Sequence, residues 1–335
     1  MYKINNQNIN AFFGALSKEF ALFLPVHKDE MTDFCEWNPN EAPENFDFET
    51  LKTAKSPKEF FLPPFEELYS AKNTADGIDL NPMSAPDAPF ILFGVRACDL
   101  EGIGILDQVY LSDPTDRFYE ARRNAATIFT LACESPTPTC FCNSFGIDPA
   151  HPKGDVSVWQ TEGFFYLAAN NAKGEKALGT ANDLLENVNT KPIFTHKPNP
   201  PLPVNHLNPE KLLKTFDSNK WDELHRTCIS CGTCTFLCPT CQCYDISGSD
   251  SDGVIRCHRT WDSCMYKDFT QMAHGNPRPS AKARFRQRFM HKLLYHQENH
   301  QGSFGCVGCG RCTNKCPVNL SVVKVIKALG ARENA

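Results

Sequence analysis

The sequence predicts an α+β protein, with an N-terminal mixed α/β domain followed by a C-terminal α-helical domain. Short apolar runs typical of buried strands alternate with helical patterns over residues 1–190. Six prolines lie in residues 192–209, and such a stretch favours a linker over a helix. Helical patterns return after it, among twelve of the seventeen cysteines. We therefore predict domains at 1–190 and 210–335, joined by a proline-rich linker at 191–209.

In the N-terminal domain, apolar residues at helical spacing predict a helix over residues 8–20. Apolar runs at 90–95 and 127–132 predict buried strands. Between these runs, Asp113 as N-cap and Pro114 in the first turn predict a helix over 113–126. Two further strands, at 156–160 and 164–168, flank a turn and predict a hairpin.

In the C-terminal domain, helical patterns cover residues 210–221, 279–296 and 320–329, with Gly330 as a C-cap. The 335-residue length also favours two domains, and the 41% hydrophobic content is sufficient for globular cores. No apolar run approaches the roughly 18–20 residues that a membrane helix needs. The first residues resemble neither a signal peptide nor a twin-arginine signal, so we expect a cytoplasmic protein.

The seventeen cysteines point to metal binding. Without an export signal, a reducing compartment favours metal ligands or redox chemistry over structural disulfides. Fifteen of the cysteines fall between Cys133 and Cys316, and most of them form tight groups. Scattered pairs would suit disulfides, whereas grouped thiols suit metals.

Two cysteine runs share one spacing, each with three cysteines three residues apart and a fourth followed by proline. This is the spacing of bacterial two-cluster ferredoxins, in which the fourth cysteine of each run ligates the other cluster. The runs are Cys228, Cys231, Cys234 and Cys238-Pro239, and then Cys306, Cys309, Cys312 and Cys316-Pro317. We therefore predict one [4Fe–4S] cluster on Cys228, Cys231, Cys234 and Cys316, and a second on Cys306, Cys309, Cys312 and Cys238.

The alternative metal is zinc, which also accepts Cys-x-x-Cys pairs. Zinc ribbons present two such pairs per ion, however, and do not require four-cysteine runs that end in Cys-Pro. Residues 239–305 separate the two runs and look partly helical, so we predict an α-helical ferredoxin domain rather than a compact ferredoxin.

The segment 254–292 is strongly basic, with nine Lys or Arg and two Asp, a net of +7 inside a chain of net charge −5. One interpretation is nucleic-acid binding. The favoured interpretation is that these cations compensate anionic thiolate clusters or dock an acidic partner.

Four N-terminal cysteines suggest a third iron–sulfur site, on Cys98, Cys133, Cys140 and Cys142. Cys98 and Cys133 each follow a predicted strand, so one sheet edge would present them together. The alternative is that they are buried apolar residues, which free cysteines often are.

The remaining cysteines have no cluster spacing. Cys241 and Cys243 follow the first run directly and are candidates for groups around a cluster or for a redox-active pair. Cys257 and Cys264 lie seven residues apart, which on a helix would place them on one face, and with the previous pair they are candidates for a further metal site. We predict no special role for Cys35. No dinucleotide-binding or Walker motif is present, and the histidines show no ligand spacing.

Several stretches resemble a known family, the β-subunits of cytoplasmic sulfhydrogenases together with the corresponding iron–sulfur subunit of anaerobic sulfite reductase. The resemblance covers most of residues 55–320. In the N-terminal half it rests on the sequences FGVRACDLEG at 93–102, FYEARRN at 118–124 and TCFCNSFG at 139–146. In the C-terminal half it rests on CPTCQCY at 238–244, TWDSC at 260–264 and the arginines that precede His291.

The resemblance implies an electron-transfer subunit in an anaerobic redox complex. Such a subunit links a flavin- and [2Fe–2S]-containing subunit that handles NAD(P)H to a catalytic partner. That partner is a hydrogenase, a sulfite reductase or a heterodisulfide-reductase-like protein. The resemblance also strengthens the third site, because the family has cysteines where Cys98, Cys133, Cys140 and Cys142 stand, while Cys257 is outside its pattern.

Three functions follow as hypotheses. The first is conduction of single electrons, which requires no acid, base or nucleophile from the protein, and the sequence offers no such catalytic constellation. The second is catalysis on a sulfur substrate at the third cluster or at Cys241 and Cys243. The third is an iron–sulfur sensor that binds nucleic acid through the basic segment.

Overall fold

The computed structural model describes residues 1–40, 45–204 and 206–330. Asn205 of the predicted linker and residues 331–335 of the predicted C-terminal domain lie outside the described residues. The chain forms two compact units, each assembled from separate segments. The first contains Met1–Pro57, Pro86–Pro201 and Val307–Cys309, and the second contains Lys58–Ala85, Leu202–Cys306 and Gly310–Ala335.

The strands, in chain order, are β1 (Tyr2–Asn5), β2 (Ala21–Lys28), β3 (Met31–Glu36), β4 (Phe65–Thr74), β5 (Gly77–Pro82), β6 (Phe90–Arg96), β7 (Ala126–Leu131), β8 (Val156–Thr161), β9 (Phe164–Ala169), β10 (Glu186–Asn187), β11 (Tyr244–Ser251) and β12 (Val254–Trp261). The α-helices are α1 (Ile9–Leu16), α2 (Ala97–Tyr110), α3 (Arg117–Ala125), α4 (Ala172–Gly179), α5 (Pro209–Lys214), α6 (Lys220–His225), α7 (Thr233–Phe236), α8 (Ala281–Met290), α9 (His296–Asn299), α10 (Arg311–Asn314) and α11 (Val322–Gly330).

An eight-stranded mixed sheet forms the centre of the first unit, in the order β10-β1-β9-β8-β7-β6-β2-β3. The central pairs β2/β6, β6/β7 and β7/β8 are parallel, and the outer pairs are antiparallel. Every residue of β7 is buried, as expected for a central parallel strand covered on both faces. Aromatic side chains fill the core, and Phe93 meets Phe13 and Phe48 edge-on with ring centroids 5.1 and 5.5 Å apart.

The predicted strands at 90–95, 127–132, 156–160 and 164–168 are confirmed as β6, β7, β8 and β9. The predicted start of the helix at Asp113 is wrong. Asp116 is the N-cap, and its side chain accepts a hydrogen bond from the backbone N–H of Tyr119 at 2.9 Å. The helix therefore begins at Arg117, because this cap satisfies an amide of the first turn. Helix α2 was not predicted, since Gly102 and Gly104 weaken its helical pattern.

The second unit contains a four-stranded antiparallel sheet in the order β11-β12-β4-β5. Strands β4 and β5 come from residues before 86, so part of this unit precedes the predicted linker in sequence. The side chains of Glu66 on β4 and Arg259 on β12 form an ion pair with only 4% of each side chain exposed. The sequence did not predict the hairpin β11–β12, which adds strands to a region predicted to be partly helical.

In the second unit one predicted helix is interrupted, whereas the helix predicted over 279–296 is confirmed as helical turns that run without a break from Ala281 to Asn299. The pattern over 210–221 becomes α5 and α6, because the chain turns between Lys214 and Lys220. The pattern over 279–296 becomes α8 followed by a π-helical segment, His291–Tyr295. The α+β class is confirmed. In the part of the chain that the structure describes, no helix has the length and apolar character needed to cross a membrane.

Candidate metal centres

Cysteines from both runs line one cavity of the second unit. Cys228, Cys231 and Cys234 of the first run meet Cys316, the last cysteine of the second run, and Cys312 also lines the wall. The backbone N–H of Leu320 donates to the sulfur of Cys316 at 3.2 Å, a contact that stabilises a negatively charged sulfur. Four convergent thiols from two runs, with an amide aimed at one of them, fit a [4Fe–4S] cluster.

A left-handed glycine shapes the loop of the first run. Gly232 has φ +74°, and a Cβ at this position would lie 2.5 Å from the hydroxyl oxygen of Tyr266. The Tyr266 hydroxyl donates to the carbonyl oxygen of Cys231 at 3.1 Å. Because only glycine fits between the loop and this ring, the close turn that aims Cys231 and Cys234 depends on it.

Arg288 supplies positive charge to the same cavity. Its side chain is buried, with 5% of the residue exposed, and it lines the wall beside Cys234 and Cys312. Burial opposes its charge, but the nearby thiols outweigh that effect and hold the pKa of Arg288 well above its usual range. Burial also raises the pKa of Cys234, and Arg288 counters this rise. The cavity can therefore hold anionic sulfur with a permanent cation beside it.

Lys292 provides a second buried cation, next to thiols of both runs. Its ammonium donates to Thr240 Oγ1 at 2.6 Å and to the carbonyl oxygen of Gly305 at 3.1 Å. Burial opposes its charge, but Cys238, Cys241 and Cys306 outweigh this effect and hold the pKa of Lys292 above its usual range. Cys238 and Cys306, predicted ligands of the second cluster, thus share one cation.

The other predicted ligands of the second cluster are Cys312, in the second unit, and Cys309, in the segment Val307–Cys309 of the first unit. Within the first unit, Cys309 packs with Ile105 and Val307 in a small apolar cluster against Cys98.

All four cysteines of the predicted third site line one cavity of the first unit. Cys98, Cys133, Cys140 and Cys142 are joined there by Cys309, which was not predicted for this site. Cys98 follows β6 and Cys133 follows β7, and because these strands are parallel, both residues reach the same sheet edge. Burial raises the pKa of the Cys142 thiol to about 11 and also raises that of Cys133. Because burial raises their pKa values, these thiols would ionise only where a metal or a cation stabilises the negative charge.

Arg96 supplies a cation to this cavity. Its Nη1 donates to the carbonyl oxygen of Ala132 at 2.7 Å and lies 3.9 Å from the sulfur of Cys133, and its Nη2 donates to the carbonyl oxygen of Phe48. The side chain is therefore held in place beside Cys133 by backbone oxygens. Sequence reasoning missed Arg96, although it directly precedes the helix that carries Cys98.

Lys52 and residues of the predicted linker hold the loop that carries Cys140. Lys52 Nζ donates to Thr137 Oγ1 and Thr139 Oγ1, both at 2.6 Å. Asn199 Nδ2 donates to the carbonyl oxygens of Thr137 and Cys140, both at 2.8 Å. The histidine of the same segment, His196, donates from Nδ1 to the Cys133 carbonyl oxygen at 2.8 Å and lines the cavity. His196 thus belongs to the wall of this site, and Asn199 holds the loop that carries Cys140.

Three cysteines of the second unit that are not predicted cluster ligands take part in two thiol pairs. The Cys241 thiol hydrogen-bonds to Cys238 and lowers the pKa of Cys238. The Cys264 thiol hydrogen-bonds to Cys243 and lowers the pKa of Cys243 to about 7. Cys257 is on strand β12 opposite Tyr69, so the helical face predicted for Cys257 and Cys264 is wrong.

The basic segment is partly internal. Arg259, Arg284, Arg288 and Lys292 are each at most 9% exposed, so four of its nine cations are buried. Arg284 donates to the carbonyl oxygens of Met265 and Pro279 at 3.0 and 2.9 Å. Buried cations that contact backbone oxygens or thiols cannot reach a phosphate backbone. This favours charge compensation over nucleic-acid binding.

Among the described residues, no group of three or more His, Cys, Asp or Glu side chains is arranged to hold a single metal ion.

Comparison with known proteins identifies the C-terminal cysteine region and the family of the chain. Residues 227–320 match the family model of a 4Fe-4S dicluster domain. The chain is 31% identical to sulfhydrogenase 2 subunit beta of Pyrococcus furiosus over 339 residues, which cover 97% of this chain and 96% of that protein. The chain belongs to the sulfhydrogenase beta-subunit family. No solved structure matches it.

As a sulfhydrogenase beta-subunit homologue with a 4Fe-4S dicluster domain, the chain is an iron–sulfur protein, and an electron-transfer role is supported. The matched domain contains both cysteine runs. In this family member the structure also brings Cys309 together with the N-terminal cysteines, which the sequence did not connect. It places Cys243 beside Cys264, a pairing that the sequence did not distinguish within its set of four candidate cysteines. No local spacing signal could have found either contact, because each joins parts of the chain that meet only on folding.

Proposed function

We propose that this chain relays single electrons between a flavin- and [2Fe–2S]-containing subunit that handles NAD(P)H and a catalytic oxidoreductase subunit. The candidate catalytic partners are a hydrogenase, a sulfite reductase and a heterodisulfide-reductase-like protein. The relative from Pyrococcus furiosus carries the word subunit in its name, which supports assembly with other chains. We also propose that the complex works in an anaerobic cytoplasm.

The observation that carries the proposal is the meeting of Cys316 with Cys228, Cys231 and Cys234 in one cavity. This arrangement supports an exchange of fourth ligands like that of two-cluster ferredoxins, which would keep two clusters close. In the proposal, Cys228, Cys231, Cys234 and Cys316 hold the first cluster, and Cys306, Cys309, Cys312 and Cys238 hold the second. A bound [4Fe–4S] cluster supplies one-electron oxidation and reduction.

The protein residues have three tasks in this relay. The cysteines supply thiolate ligands, Arg288 and Lys292 balance their negative charge, and the Leu320 amide donates to a ligand sulfur. Charge, hydrogen bonds to sulfur and burial are the factors that set cluster potentials. No side chain has to transfer a proton for the electron to move.

We further propose a third cluster on Cys98, Cys133, Cys140 and Cys142 in the first unit. The shared cavity, its burial and the guanidinium of Arg96 support it. Cys309 stays with the second cluster in this proposal, because its run would otherwise lack a ligand. Substitution of Cys309 tests this choice, since the cluster that is lost identifies the one it serves.

The test begins with anaerobic purification from the native host. Iron and acid-labile sulfide are counted per chain, and co-purifying subunits are identified by mass spectrometry. About twelve irons per chain support three clusters, and about eight support two. Zinc, or no metal, in the anaerobic protein contradicts the proposal.

Paired variants test the ligand sets. Cys316→Ser and Cys228→Ser are expected to remove the same electron paramagnetic resonance signal, and Cys238→Ser and Cys306→Ser are expected to remove the other. Cys35→Ser is the matched control, because Cys35 packs against the core of the first unit and lines neither cysteine cavity. If Cys316→Ser and Cys306→Ser instead remove the same signal, the exchange of fourth ligands is contradicted.

A catalytic role on a sulfur substrate gives a different result. It predicts turnover by the isolated chain, whereas the relay predicts only reduction of artificial dyes unless partner subunits are added.

A further inference from the structure

The hairpin β11–β12 brings two cysteines together at its base. Cys243 directly precedes β11 and Cys264 follows β12 by three residues. The strands are in register with Tyr244 opposite Trp261, and the backbone N–H of Asp262 donates to the carbonyl oxygen of Cys243 at 2.9 Å. Both cysteines line the same cavity at this end of the hairpin. The backbone ladder therefore brings two thiols to one place although about twenty residues separate them in sequence.

This thiol pair is accessible to small molecules. Cys243 and Cys264 both line an open cavity of the second unit, which Arg278 and His291 also line. Cys264 itself is 8% exposed, so it is reached through the cavity rather than from an open surface. A thiol pair with solvent access on one side can exchange with small thiols and disulfides.

The pair also lies close to the proposed first cluster. Met265, the residue directly after Cys264, lines the cavity that contains the proposed ligands of that cluster. The two cysteine runs already supply four thiolates to each of the two proposed clusters, so neither Cys243 nor Cys264 is needed as a ligand. Disulfides in cytoplasmic proteins are usually transient and serve catalysis or redox sensing.

We propose that Cys243 and Cys264 form a redox-active pair that interconverts between a dithiol and a disulfide. On oxidation, the two S–H bonds break and one S–S bond forms, which releases two protons and two electrons. The reverse step takes up two electrons and two protons and restores both thiols. The electrons come from or go to the proposed [4Fe–4S] clusters, one at a time, or to a low-molecular-weight thiol–disulfide couple that enters the cavity.

The cysteine pair would then store two electrons beside clusters that each transfer one electron at a time. The inference rests on the proposed function only for the internal source of electrons. The dithiol–disulfide equilibrium itself is measurable against an external couple, so the two proposals can fail separately.

The test uses the full-length holoprotein, purified without oxygen. It is equilibrated with mixtures of reduced and oxidised dithiothreitol or glutathione from about −350 to about −150 mV, potentials that span those of known protein dithiols. Free thiols are then alkylated, and peptides are mapped by mass spectrometry. The expected result is a linked peptide joining Cys243 to Cys264, whose ratio to the unlinked form changes tenfold for about 30 mV, as a two-electron couple requires. Iron content stays constant across the series.

Matched variants separate this pair from a metal site. Cys264→Ser is expected to abolish the linked peptide and to keep the iron content of the wild type. Cys257→Ser is the control, because Cys257 is equally buried at 9% exposure but lies on β12 opposite Tyr69. It is expected to keep both the linked peptide and the iron.

Three outcomes would overturn the inference: both thiols alkylated at every potential, a linked peptide only after iron is lost, or loss of iron in Cys264→Ser. The wild-type titration decides the matter even where a variant fails to fold. A linked peptide in a protein that contains no clusters would support the pair and contradict the relay.

Discussion

The backbone N–H of Phe141 donates to the carbonyl oxygen of Gly308 at 2.9 Å. Phe141 stands between Cys140 and Cys142, and Gly308 stands directly before Cys309. Gly308 has φ +64°, and a Cβ here would lie 2.6 Å from the backbone nitrogen of Cys142. The loop of the proposed third cluster therefore packs against a residue that has no room for a side chain.

Gly308→Ala is expected to destabilise the protein and to disturb the third cluster. The left-handed backbone adds about 1–3 kcal/mol of strain for a residue with a side chain, and the contact with Cys142 forces the loop to move. Thermal unfolding and iron content measure the two effects. Gly163→Ala is the control, because Gly163 has φ +83° but a Cβ added there would meet no atom within 4 Å. Equal losses in both variants would show that the close contact is unimportant.

Cys133→Ser is expected to lower the iron content from about twelve to about eight per chain, because one proposed cluster loses a ligand. The fifth cysteine of this cavity, Cys309, serves the second cluster in the proposal, so we do not expect it to replace the lost ligand. Iron and sulfide analysis of anaerobic protein measures the change. Cys35→Ser should retain the wild-type value. An unchanged iron count in Cys133→Ser would argue against a third cluster at this site.

Lys292→Met is expected to lower the midpoint potential of the second cluster. Loss of a buried positive charge beside Cys238 and Cys306 makes the added electron less favourable. The expected shift is on the order of 60 mV, which is a tenfold change in a one-electron equilibrium. A redox titration followed by electron paramagnetic resonance measures it.

Two further variants serve as controls for Lys292. Lys292→Arg keeps the positive charge, so the midpoint potential of the second cluster should stay close to that of the wild type. Lys267→Met removes an exposed lysine of the same basic segment and should leave the potential near that of the wild type. A shift of equal size in Lys267→Met would point to the net charge of the segment instead of a local effect.

Arg259→Met is expected to reduce the free energy of unfolding by about 3–5 kcal/mol, because it leaves the Glu66 carboxylate buried without its ion-pair partner. The double variant Arg259→Met/Glu66→Leu should recover most of this loss, since it removes both charges. Denaturant unfolding measures the effect. Lys214→Met breaks an exposed pair with Glu210 and should change stability by less than about 1 kcal/mol. A double variant as unstable as the single one would contradict this explanation.

The sequence by itself determined the features that depend on local spacing. The strands from Phe90 to Leu131 follow from short apolar runs, and the two cysteine runs follow from fixed intervals between ligands. Such patterns can be recognised in the sequence because the local backbone geometry of a strand or loop fixes the relative positions of neighbouring residues. The α+β class and the iron–sulfur character followed from them.

Only the tertiary structure decided which distant residues meet. Strand β4 pairs with β12 although the segment Pro86–Pro201 of the first unit lies between them in sequence, which places Lys58–Ala85 in the second unit. The contact of Cys243 with Cys264 likewise depends on the register of a hairpin that the sequence did not reveal. Which distant strands pair depends on the burial and hydrogen bonding of the whole folded chain. A local sequence pattern contains information on neither.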